Sequence, residues 1–229
     1  MVAPRSMAPF LATASVSTRR CRAFLPGAGR FGQQTTALMA TTSSANKIRL
    51  RNATIQDLDL IVHWDEKPHL TDPNVMGDED YNDWNWEVEL KRTDLSWRFQ
   101  LIAELSSNGK PIGVVQVLDP LEEETHYWGE DCHPNLRALD IWIGEEEYLG
   151  QGYGSQMMNL ALEEYCFSDP LVEAALVDPM AENPRAHQFY QRIGFVPEGI
   201  RYFGPDKCLV HRLTREDYYK KKEVKEQAW

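Results

Sequence analysis

The sequence predicts an α/β domain of the α+β kind: a mixed, mostly antiparallel sheet of about seven strands with helices on both faces. Three observations carry this. The stretch Leu136 to Phe167 reads as strand, glycine-rich turn and helix. In it Leu136–Ile143 is a buried-strand pattern, Gly150-Gln-Gly-Tyr-Gly154 follows, and Met157, Met158, Leu160, Ala161, Leu162, Tyr165 and Cys166 fall on one broad helical face. Next, a short apolar run from Ala174 to Val177 ends at Asp178-Pro179, and a further helix is bracketed by Asn183 as N-cap, Pro184 at its first position and Gly194 as C-cap. Finally, Asn108-Gly109 and Gly204-Pro-Asp206 each join two apolar runs, which is how antiparallel neighbours are made.

Each element follows in chain order. Met1 to Asn46 is rich in Ser, Thr, Ala and Arg, has no acid and no sustained period. That composition predicts an organellar leader, plastid or mitochondrial, although a disordered tail on a cytoplasmic protein reads the same way, and Ala23-Phe24-Leu25-Pro26 resembles the cleavage step of plastid leaders. The domain is expected over 47–217, with a charged tail over 218–229. Lys47 to Arg51 alternates as a first strand. Thr54 and Asp57 form a capping pair ahead of a helical stripe of Leu58, Ile61, Val62 and Trp64. Asp65 to Asp83 reads as loop, and Trp84, Trp86, Val88 and Leu90 as a short second helix. Trp97–Leu105 and Pro111–Leu118 are strands, and Asp119–Pro134 is an irregular acidic insertion. The glycine turn and its helix, the fifth strand and the Asn183 helix come after strand four. Phe195–Phe203 and Cys208–Leu213 close the sheet as a hairpin, and Thr214 caps a last turn or helix.

Charge and cysteine usage limit the function classes. Seven of the 24 basic residues lie in the first 50 positions, so the rest of the chain carries 17 bases against 35 acids, a net −18. A field of that sign disfavours nucleic acid and draws small cations. No run approaches the roughly 20 apolar residues of a membrane span. Cys132, Cys166 and Cys208 in the domain are odd in number and lack metal-ligand spacing, so neither a disulfide framework nor a metal site is expected.

Strand, glycine turn and helix form an anion-binding arrangement, because glycines let successive N–H groups face outward at a helix N-terminus. The spacing fits neither a P-loop, which needs Lys-Ser/Thr after its last glycine, nor a dinucleotide turn. With the second segment included, the chain resembles the GNAT superfamily of acetyl-CoA-dependent N-acetyltransferases. Leu149-Gly-Gln-Gly-Tyr-Gly154 is similar to its pyrophosphate loop, and Asn183 through Phe195 to its N-x-x-A-x-x-x-Y-x-x-x-G-F segment. Arg137-x-x-Asp140, Phe167-Ser-Asp-Pro170 and Asp178-Pro179 resemble the aminoglycoside 6′-N-acetyltransferase branch. Leu149 departs from the Gln or Arg usual there, which removes a side-chain contact and leaves the backbone cradle.

The resemblance implies a sheet splayed between strands four and five and acetyl-CoA as cosubstrate. The cofactor would lie along Ile141, Trp142 and Ile143, whose backbone would polarise the thioester, and on Leu149, Gly150, Gln151, Gly152, Tyr153, Gly154 and Ser155, with Asn183, Ala186 and Tyr190 from the second segment. Tyr190 matches the family's thiolate acid, a phenol that is protonated at neutral pH. Asp140 matches the acid that orients or deprotonates the amine; the residues alone also allow a structural pair with Arg137 or a strand neighbour. Asp178 matches a further acceptor contact, although an Asp-Pro turn residue reads the same way. Trp64 and Trp128 are candidate walls of the acceptor site, and either could equally be core. The partner implied is a small, cationic primary amine, aminoglycoside- or polyamine-like, acetylated by a monomer or homodimer. Competing readings are a siderophore- or lysine-type acyltransferase, which typically carries histidine near position 140, and an acyl-CoA-binding regulatory domain without turnover.

Overall fold

The structure, a computed structural model, describes residues 47–71, 85–92, 96–130 and 132–227. The expected leader and most of the expected loop before the second helix lie outside the described residues, as does Trp84. Strands β1 (Ile48–Asn52), β2 (Arg98–Leu105), β3 (Pro111–Leu118), β4 (Leu136–Ile143), β5 (Ala174–Val177), β6 (Val196–Phe203) and β7 (Asp206–Thr214) form one sheet in the order β1-β2-β3-β4-β5-β7-β6. Every neighbouring pair is antiparallel except β4–β5. Helices α1 (Leu58–Asp65) and α2 (Trp86–Lys91) cover one face; α3 (Tyr153–Ala161), α4 (Pro184–Ile193) and α5 (Arg215–Gln227) cover the other.

Alternation sorts the strands onto two cores. Leu101, Ala103, Val115, Val117, Leu139 and Ile141 face α3 and α4, while Ile102, Val114 and Trp142 face α1 and α2. A sheet buried on both faces needs near-continuous apolar strands, and β3 and β4 supply them. Local chemistry sets the ends. The Thr54 N–H donates to Asp57 Oδ2 at 2.8 Å, as the capping pair predicts, and Arg51 donates to both Asp57 and Glu104. Gly109, at φ +71°, turns β2 into β3, and Gly204, at φ +59°, turns β6 into β7.

Helix α3 continues past Ala161 as the apolar spacing predicts, through a π-turn over Leu162–Cys166 that carries Cys166 and Phe167 into the core. One boundary differs from expectation. The stretch expected as a charged tail is helical to Gln227, because Tyr218 is buried against Phe167 (centroids 5.0 Å apart) and Lys221 donates to the Arg192 carbonyl at 2.7 Å. Charge on its outward face hid that anchoring in the sequence.

Candidate active site

The glycine loop opens onto a cleft of about 270 Å³ between the start of α3 and the side of α4. Gly150, Gly152, Gly154 and Ser155 line it on one side; Arg185, Gln188, Phe189 and Arg192 line it on the other. Gly150 and Gly152 have φ of +71° and +83°, which only glycine adopts without strain. Gly152 caps α3, whose first N–H groups have no intrahelical acceptor. The loop's remaining residues brace it. Leu149 packs on the core, the Gln151 side chain donates back to the Glu147 carbonyl, and Tyr153 is buried edge-on to Tyr148. Asn183 and Ala186 are buried too: the Asn183 carboxamide accepts from the Ala186 N–H at 3.1 Å, so the pair fixes the start of α4 rather than facing the cleft. Arg185 and Arg192, on the same stripe of α4 as Gln188, were not singled out in the sequence. Their spacing of three and four residues along the capped helix was the available signal.

Strand β4 leaves its parallel partner early. Only Leu136, Arg137 and Ala138 pair with β5, while β4 runs on to Ile143. The splay implied by the resemblance is therefore present from Leu139 onward. Gly144 N–H donates to Ile112 O on β3, and strand alternation then turns Trp142 toward β3 and Ile141 and Ile143 toward the gap. This corrects one expectation: the Trp142 N–H belongs to the β3 ladder, and its ring is wholly buried against Trp86. At the end of the strand the Ile143 carbonyl accepts from His69 Nε2 at 3.0 Å.

Asp140 lies on the β4 face opposite Leu139 and Ile141, and is 7 % exposed. Across the sheet it is registered with Gln116, which donates to Gln100 at 2.8 Å, so a polar strip crosses three strands between two apolar clusters. Arg137 points to the other face and pairs with Asp119 at 2.7 Å and Asp169 at 3.4 Å, which removes the alternative of an Arg137–Asp140 pair. Asp140 and Asp178, the latter just beyond β5, line one narrow cleft with Leu118, Tyr127, Trp128, Ala138 and Leu139. Trp128 thus stands where an acceptor wall was expected. Trp64 does not. Its indole is completely enclosed under Gly144 and donates to Glu145 Oε1 at 3.0 Å, so it is core.

Tyr190 sits on the opposite side of β4, fully buried among Phe189, Phe195 and His211. His187 is half-buried and stacks on His211 at 5.2 Å, its Nε2 meeting the Ala181 carbonyl at 3.1 Å. Burial lowers the His211 pKa, and His187 beside it adds to the effect; the Leu209 carbonyl opposes it. The described residues hold no group of three or more metal-ligating side chains.

Known proteins agree with this arrangement. A family model described as the acetyltransferase (GNAT) domain matches residues 54–203. An aminoglycoside N(6′)-acetyltransferase type 1 of Klebsiella pneumoniae is 27 % identical over 186 residues, covering 80 % of this chain and 90 % of the relative. The crystal structure of aminoglycoside acetyltransferase AAC(6′)-Ib with coenzyme A and kanamycin is similar at a TM-score of 0.62 and 25 % identity, over 77 % of this chain and 99 % of that one. A spermidine N-acetyltransferase chimera from Vibrio cholerae shares the fold at a TM-score of 0.56 and 20 % identity, over 75 % of this chain and 98 % of that one.

Proposed function

This chain is an N-acetyltransferase that belongs to the GNAT family, and from that premise we propose that its acceptor is a primary amine on a small cationic molecule, held by Asp140 and Asp178. The observation that carries the reading is the meeting of these two carboxylates in one cleft beside the half of β4 that has parted from β5.

The glycine cleft fits the pyrophosphate of acetyl-CoA. It combines helix N–H groups with two exposed guanidinium groups, Arg185 and Arg192, whose forked donors suit phosphate oxygens. Bound acetyl-CoA supplies an activated thioester carbonyl. Ile141 and Ile143 would present their N–H groups to it from the open edge of β4, stabilising the oxygen as charge builds there. Asp140 would neutralise the incoming ammonium and accept its proton, freeing the lone pair that attacks. Tyr190, on the cofactor face of β4, would hold the proton that the departing thiolate takes up. The amine and the thioester thus approach the gap from opposite faces of the sheet, which keeps the two carboxylates away from the cofactor's phosphates.

A thiol-release screen of residues 47–229 against polyamines, aminoglycosides, amino acids and peptide N-termini tests this. Release with polycationic amines is expected. Release only with amino acids or peptide N-termini would overturn the assignment of a cationic acceptor.

A further inference from the structure

The outer wall of the carboxylate cleft is aromatic, and Tyr127 is its centre. Its hydroxyl donates to Asp178 Oδ2 at 2.6 Å. Its ring stacks on Phe203 with centroids 4.4 Å apart and planes within 10°, and Trp128 meets both rings edge-on. Arg201 on β6 braces the assembly, donating to the Trp128 carbonyl at 2.8 Å and lying over the rings of Trp128 and Phe203. A ring held by stacking, by an edge contact and by a charge-assisted hydrogen bond does not swing aside cheaply. The space it leaves beside the two acids is about 10 Å³, enough for one group the size of water.

We propose that Tyr127 is a specificity-determining residue, which restricts the cleft to the end of a slender, unbranched primary ammonium and turns away amines carried on a bulky ring. This rests on the acetyl-transfer reading above. An ammonium matches the free space in size and its charge matches the two carboxylates. A polymethylene chain behind it asks the least widening of so small a cleft, whereas a sugar ring one carbon away from the amine would require the Tyr127–Trp128 wall to move. The phenol remains protonated, since burial and the Asp178 charge both raise its pKa, so it donates to Asp178 and fixes the direction in which that carboxylate faces the cleft. Removing the ring should widen the site, while removing only the hydroxyl should keep its width.

The test compares kcat/KM for 1,5-diaminopentane and for kanamycin. The wild-type enzyme should favour the linear diamine by about tenfold or more, the equivalent of roughly 1.4 kcal/mol. Tyr127→Ala should reduce that preference at least tenfold by gaining activity on kanamycin, while Tyr127→Phe should retain the preference and raise only the KM for the diamine. Equal use of both amines by the wild-type protein overturns the proposal, whatever the variants do. An unchanged preference in a folded Tyr127→Ala protein overturns it as well. Absence of thiol release with every amine would instead sink the acetyl-transfer reading, and this inference with it.

Discussion

The indole of Trp64 fills the space in which a β-carbon on Gly144 would sit. Both residues are buried, and the Trp64 N–H is tied to Glu145, the first residue of the acidic turn that leads to the glycine loop. Gly144→Ala must therefore displace a fully enclosed ring. Overpacking of this kind costs about 1–3 kcal/mol, and at this domain size each kcal/mol lowers Tm by about 2–4 °C. Thermal unfolding followed by circular dichroism measures it; an unaltered Tm would mean that the ring has slack.

Gly152 presents the opposite case. A β-carbon there meets no atom within 4 Å, yet φ is +83° and the open side is the cleft proposed to hold acetyl-CoA. Gly152→Val should leave a folded protein, less stable by about 1–2 kcal/mol from the left-handed backbone alone. Its acetyl-CoA affinity, measured by titration calorimetry, should fall at least tenfold. Unchanged affinity would reduce the loop to a structural turn.

In the proposed reaction Asp140 and Tyr190 would divide the proton transfers between the two faces of β4, and their variants should differ accordingly. Tyr190→Phe should lower kcat by about 10²–10⁴-fold, the usual range for general acid–base catalysis, with little change in acetyl-CoA affinity. Asp140→Asn keeps the shape and loses the charge, so it should raise KM for the amine as well as lower kcat. Steady-state kinetics on a confirmed acceptor separates them, and wild-type values for both would refute the assignment.

His211 predicts a pH dependence of stability. Burial holds its folded-state pKa below the ordinary 6.5, so between the two values the unfolded chain binds a proton that the folded chain does not. Stability from this residue is complete above about pH 6.5 and declines as the pH falls toward the folded-state value. Between pH 7 and 5.5 the wild-type Tm should drop more steeply than that of His211→Phe. Parallel curves would show that the imidazole titrates alike in both states.

The strands, the capped helices and the glycine turn were legible because each depends on local signals: alternation, an Asn-Pro cap, glycines at positive φ. The wall residues were not equally legible. Trp64 and Trp128 look alike in sequence, and only the sheet places Trp64 under Gly144 and Trp128 against Phe203. Tyr127 escaped notice altogether, since its partners Asp178 and Phe203 are 51 or more residues away. Helix α5 was misjudged for a related reason. Its outward charge dominates its composition, while its anchors, Tyr218 on Phe167 and Lys221 on the Arg192 carbonyl, are non-local. For the backbone of β4, alternation implied which N–H groups face outward, but only the Gly144–Ile112 bond set the phase.

The two arginines of the glycine-loop cleft sit on a domain that is otherwise strongly acidic, with 35 acids against 17 bases beyond residue 50. Acetyl-CoA, an anion approaching from solution, would meet repulsion first and attraction only at contact range, whereas the cationic acceptor proposed above would be drawn in throughout. Screening acts on the long-range part first, as the Debye length shrinks from about 30 Å at 0.01 M salt to about 8 Å at 0.15 M. Raising ionic strength over that range should therefore lower KM for acetyl-CoA while raising KM for the amine. The two substrates would then respond to salt in opposite senses, and the ionic strength of the medium would decide which of them limits turnover.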